Sequence, residues 1–70
     1  MKFDYAQFEE ELEVLLAQDM ISGVEAFGPG HYRLNGELDV WPRRKKYFYH
    51  PTGEHGEYRD LWGFVELIFP

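Results

Sequence analysis

His31-Tyr32-Arg33-Leu34-Asn35-Gly36-Glu37-Leu38-Asp39-Val40-Trp41 is the stretch on which the fold turns. Asn35-Gly36 between two runs of mixed apolar and polar residues is a strong hairpin signal, because both central positions of a type I′ turn need positive φ and these two residue types tolerate it. A two-residue loop sets the register: Leu34 opposes Glu37, Arg33 opposes Leu38, Tyr32 opposes Asp39 and His31 opposes Val40. His31, Arg33, Leu38 and Val40 then share one face, and Tyr32, Leu34, Glu37, Asp39 and Trp41 the other. Leu38 and Val40 are expected against a helix.

Working outward, Pro42 lacks an amide donor and suits a turn better than a central strand position. A second turn is expected over residues 43–45, with a third strand over 46–49. Upstream, residues 24–27 read as a short strand broken off by Gly28-Pro29-Gly30. Before it, Asp4 with Gln7 three residues on matches a capping box, and Phe3 and Phe8 occupy the hydrophobic-staple positions. Tyr5, Phe8, Leu12, Leu15 and Leu16 then recur at helical spacing, which predicts a helix to about residue 18, with Gly23 as a stop. Downstream, Pro51-Thr52-Gly53 and Gly56 read as a loop. Tyr58, Leu61, Trp62, Val65 and Ile68 predict a second helix from residue 57 or 58 to 68, with a terminal strand over 64–69 as the alternative because Gly63 weakens a helix interior. The expected fold is α+β, one domain over residues 1–70: an N-terminal helix, an antiparallel three- to four-stranded β-meander and a C-terminal helix.

Seventy residues bury only roughly 60% of the surface that the unfolded chain exposes, and with no cysteine the chain has neither disulfides nor thiolate ligands to add stability. Aromatic residues make up 19% of the chain, so a core of few, large side chains is expected. No apolar run approaches the ~18 residues of a membrane span, and Met1-Lys2-Phe3-Asp4 lacks the apolar stretch of a signal peptide. The expectation is a soluble, cytoplasmic protein without a membrane partner.

Gly36-Glu37-Leu38-Asp39-Val40-Trp41-Pro42, then Tyr47, Thr52-Gly53, Gly56 and an apolar C-terminal segment carry a resemblance. Over roughly its second half the chain resembles small uncharacterised proteins of bacteriophages and prophages with the pattern Gly-x-apolar-Asp-x-Trp-Pro-Thr-Thr-Gly-Lys-Trp, followed by a Gly-containing loop and a terminal helix. Here Arg43-Arg44-Lys45 replaces Thr-Thr-Gly, and Tyr47 replaces the second Trp. The resemblance implies a mobile-element origin, and with it the expectation of an inhibitor or modulator of host or defence machinery, similar to an anti-CRISPR protein.

Charge is distributed unevenly. The formal net charge is −6, yet residues 29–50 sum to +3, whereas residues 1–28 sum to −6 and residues 51–70 to −3. Two candidate contact surfaces follow. Glu9, Glu10, Glu13 and Asp19 form an acidic set, by default a solvated helix face, or else a surface that imitates spaced phosphates or engages a basic groove on a protein. Trp41, Arg43, Arg44, Lys45, Lys46, Tyr47 and Tyr49 form a basic, aromatic hairpin. By default its cations keep a turn soluble and block strand addition; alternatively they meet phosphates or an acidic protein patch, with rings to stack on bases.

Chemistry has little support. His50, His55 and Glu54 match no familiar zinc spacing and His31 reads as a partly packed strand residue, so no metal or other cofactor is expected. Ser22 and Thr52 sit in no nucleophile motif, no phosphate-binding loop is present, and glutamates on a wet helix face lack the burial that splits carboxylate pKa values, so no catalytic residue and no enzyme activity are expected. The leading expectation is a non-enzymatic protein that binds a host or defence-system protein through charged surfaces. The second is a small nucleic-acid-binding accessory protein using the basic hairpin, against which the whole-chain charge argues. A monomer or weak homodimer is expected, the latter through Trp62, Phe64 and Phe69.

Overall fold

The computed structural model describes residues 3–28 and 30–69. Helix α1 (Tyr5–Ala17) is followed by strands β1 (Val24–Ala26), β2 (Tyr32–Leu34), β3 (Leu38–Trp41), β4 (Lys46–Tyr49) and β5 (Glu54–Glu57), then helix α2 (Leu61–Ile68). The strands form one antiparallel meander in sequence order, an α+β fold with five strands rather than three or four.

Both helices start with the same device. Asp4 Oδ1 accepts from the Gln7 amide at 3.0 Å, and Asp60 Oδ2 accepts from the Gly63 amide at 2.9 Å, each satisfying one of the free N–H groups of a first turn. Phe3 and Phe8 pack with ring centroids 6.2 Å apart, closing the staple over the start of α1. Its far end is a Schellman motif: the Met20 amide donates to Leu15 O at 2.9 Å and the Asp19 amide to Leu16 O at 3.1 Å, with Asp19 itself at φ 58°.

The expected hairpin register is corrected. Asn35 and Gly36 do take positive φ, 55° and 69°, and the Glu37 amide donates to Leu34 O at 3.1 Å, so the turn has the anticipated chemistry. Glu37, however, is an extra residue on the return side, and pairing restarts at Leu38: Leu34 faces Leu38, Arg33 faces Asp39 and Tyr32 faces Val40. One residue of slip exchanges the faces. It also gathers Tyr32, Leu34, Leu38 and Val40, all buried, under the helices, where the two-residue register would have divided them. His31 therefore does not share a face with Val40. Phe8, Leu12 and Leu15 of α1 and Leu61 and Val65 of α2 complete this core with Ile21 and Tyr58.

Two further expectations change at the C-terminal end. Residues 54–57, anticipated as loop and helix start, are edge strand β5, and α2 begins at Leu61, not at 57 or 58. Residues 61–68 are helical, so the terminal-strand alternative is excluded there. β5 carries little apolar pattern because it is held by its ladder to β4. Gly56 lies opposite Tyr47, and a Cβ there would sit 3.5 Å from the tyrosine ring.

The hairpins β3–β4 and β4–β5 each use a four-residue loop that ends in a left-handed residue: Lys45 at φ 54° and Gly53 at φ 75°. No helix among the described residues is long and apolar enough to cross a membrane.

Candidate functional site

Both helices cover the same side of the sheet, and strand alternation decides what the other side shows. Glu25, Arg33, Asp39, Trp41, Lys46 and Phe48 point outward from β1 to β4, with His55 beside Phe48 on β5. At the middle of this outer face Asp39 is buried, at 5% exposure, although it is charged. Arg33 clamps it, Nε donating to Oδ1 at 2.6 Å and the second guanidinium nitrogen to Oδ2 at 3.2 Å. His50 Nε2 lies 3.0 Å from Oδ2, and since an ionised carboxylate only accepts, that nitrogen carries the proton. His31 Nε2, enclosed by its neighbours, lies 3.3 Å from the same oxygen without hydrogen-bonding geometry.

Burial pushes the Asp39 carboxyl up. The hydrogen bonds from Arg33 and His50, the Arg33 charge and the nearby His31 outweigh that and hold it at about 2. Arg33 also covers the Phe27 ring, 4.6 Å from its centroid, and His31 stacks on Trp41 at 4.6 Å and 14°. The two imidazoles thus turn ring edges toward one neutralised charge, and Trp41 backs the face of His31. Although His31, His50 and Asp39 converge, Arg33 engages both carboxylate oxygens, and no group of three or more acids and histidines among the described residues is arranged to hold a metal ion. His55 instead lies parallel to Phe48, at 6.4 Å and 7°.

The basic hairpin is split by the same alternation. Trp41 and Lys46 belong to the outer face, Tyr47 and Tyr49 pack against the core on the helical side, and Arg43, Arg44 and Lys45 form the exposed turn between them. Tyr47 meets Phe64 at 4.5 Å and Tyr49 meets Phe69 at 6.3 Å. Phe64, Phe69 and Trp62 are accordingly packed on the core, leaving Leu67, Phe27 and Val14 as the exposed large apolar side chains among the described residues. Lys45 Nζ donates to Arg59 O at 3.1 Å, tying the turn to the start of α2. Around that tie, a concavity of about 610 Å³ is lined by Asp4, Glu11, Arg43, Lys45, Tyr58 and Arg59, among others. Burial, with Glu11 nearby, pushes the Tyr58 hydroxyl up to about 12.

The acidic set is partly brought together. Glu9, Glu10 and Glu13 are exposed on α1 within an arc of about 100°. Glu9 is anchored, since the Tyr32 hydroxyl donates to its Oε2 at 3.1 Å. Asp19 lies beyond the helix end and has a structural position as the left-handed residue of the Schellman motif. Among the described residues, every ion pair within 4 Å converges on Asp39, so neither the α1 glutamates nor the turn cations neutralise one another. The Asp39 cluster escaped the sequence reading because it depends on the register. The signal that would have found it is the pairing of Tyr32-x-Leu34 with Leu38-x-Val40, which share a face only across a three-residue loop.

No protein-family model matches the chain, and comparison with curated proteins and with solved structures returns no match.

Proposed function

We propose that this chain is a non-enzymatic protein of a mobile genetic element that binds, and thereby inhibits or modulates, a host or defence-system protein in the bacterial cytoplasm. The observation that carries this reading is the uncompensated charge row on α1. Glu9, Glu10 and Glu13 stand exposed with no cation within 4 Å among the described residues. Like charges three and four residues apart destabilise a helix by a few tenths of a kcal/mol per pair, a cost that the Tyr32 hydroxyl offsets at Glu9 alone and nothing among the described side chains offsets at Glu10 and Glu13. A basic patch on a partner would recover that cost, and the acidic field would speed the encounter at low salt. The likeness of the second half of the chain to phage proteins supports the origin.

The test is retention of a host protein from bacterial lysate on the immobilised chain at 50 and 300 mM salt, with Glu10→Lys/Glu13→Lys as the comparison. This pair spares Glu9 and its bond to Tyr32. A specific protein retained at low salt by the wild type and lost from the variant supports the reading. Identical capture by both removes α1 as the contact.

A further inference from the structure

A groove of about 680 Å³ runs over the outer face at β3, β4 and β5, lined by Trp41, Arg44, Lys46, Phe48, His55 and Glu57, among others. Its volume falls in the range of small-ligand sites, roughly 300–1,000 Å³. Two rings from adjacent strands line it, Trp41 backed by His31 and Phe48 beside His55. Two cations, Arg44 from the turn and Lys46 from β4, stand with them. Although Glu57 is the cross-strand neighbour of Lys46, no carboxylate of the described residues comes within 4 Å of either cation.

Flat π surfaces with free cations beside them match an unpaired nucleobase carrying its phosphate. Bases in a duplex keep their faces stacked on one another, so only unpaired bases can use such rings. A site lying open across the sheet gives a mononucleotide few walls, whereas a strand passing over both rings collects two stacks and two phosphates. The net charge of −6 opposes any polyanion. The glutamate row of α1, however, lies on the helical side, and the outer face has its buried carboxylate neutralised by Arg33. We infer that the outer sheet face binds single-stranded nucleic acid, with Trp41 and Phe48 as stacking platforms for two bases and Arg44 and Lys46 as phosphate contacts. The contact is sequence-tolerant and salt-dependent, and it is independent of the α1 surface.

The test uses a fluorescein-labelled eight-nucleotide oligothymidylate, read by anisotropy, and Trp41 emission in a Trp62→Phe background, where Trp41 is the one remaining indole. Saturable binding at 20 mM salt with quenching of Trp41 is expected, and log affinity should fall with log salt at a slope of about −1 to −2 for two phosphate contacts. Phe48→Leu keeps apolar volume but removes a ring, and should cost about tenfold in affinity. Arg44→Gln/Lys46→Gln, two exposed changes, should flatten the salt slope without altering thermal stability. Absence of saturable binding, equal binding of an eight-base-pair duplex, equal affinity for thymidine monophosphate, or unchanged affinity in both the Phe48 and the cation variants would each overturn the proposal.

Discussion

Arg33 and Asp39 face each other across the β2–β3 pair, with the guanidinium Nε 2.6 Å from the carboxylate Oδ1. The pair exists because Glu37 is left out of the ladder; were Glu37 paired with Leu34, Arg33 would oppose Leu38. A charge buried on the uncovered face is tolerable only when paired and hydrogen-bonded, and Asp39 has Arg33 on both oxygens and His50 on one.

Acid should act through this pair. The unfolded carboxyl, near 3.8, takes up a proton before the folded one, held at about 2, so the unfolded chain binds more protons as pH falls through that window. The stabilisation is present above about pH 4 and lost towards pH 2, amounting to about 2 kcal/mol. Urea unfolding at pH 6 and pH 2 should show the wild type losing about 2 kcal/mol more than Asp39→Asn. Equal losses would assign the acid sensitivity to other carboxylates.

Asn35 serves the turn and the approach to β1 together. Its Oδ1 accepts from the Ser22 amide at 2.6 Å, the Ser22 hydroxyl at 3.0 Å and the Gly23 amide at 3.3 Å. Asn35→Gly keeps the positive φ and removes the acceptor, so it should cost about 1–2 kcal/mol in chemical denaturation. Asn35→Asp retains the oxygen and should cost less than half of that. Equal effects would mean that backbone geometry alone sets the position.

Lys45 and Asp19 hold left-handed conformations that glycine adopts more readily, and Gly53 occupies the equivalent loop position to Lys45 with the favoured residue. Lys45→Gly and Asp19→Gly should each raise stability by up to about 1 kcal/mol, net of the greater freedom of glycine in the unfolded chain, whereas Gly53→Lys should lower it by about 1 kcal/mol. Thermal melts of the three variants decide this. A loss at Lys45→Gly would show that its bond to Arg59 O outweighs the backbone term.

α1 was legible from sequence because its signals are local: an Asp cap, a staple and an apolar stripe all lie within fifteen residues. The Asn35-Gly36 turn was legible for the same reason. Its bulge was not, since turn chemistry fixes two φ angles but not the residue at which pairing resumes, which the shared burial of Tyr32, Leu34, Leu38 and Val40 decides. Glu54-His55-Gly56-Glu57 has almost no apolar alternation, so an edge strand held by its ladder reads as loop. Asp39 looked like an ordinary outward polar residue. Its burial arises from Arg33, His31 and His50 closing over it; strand alternation puts His31 and Arg33 on one face, but only the register brings Asp39 to them, and His50 arrives from just past β4.

Glu13→Lys should separate stability from binding. It converts the Glu9–Glu13 repulsion into a Glu–Lys pair in the favourable orientation, worth about 0.5 kcal/mol or more, and should raise the midpoint of thermal unfolding. In the lysate experiment the same variant should retain less partner. Gain in both would show that the acidic row has no part in recognition.

The most direct measurement of the proposed function is modulation of a host or defence system by the chain expressed in bacterial cells, scored for Glu10→Lys/Glu13→Lys beside Arg43→Glu/Arg44→Glu at matched expression. The α1 variant is expected to abolish modulation of the host or defence system, and the turn variant to leave most of it. Full activity of the α1 variant would contradict recognition through the acidic helix.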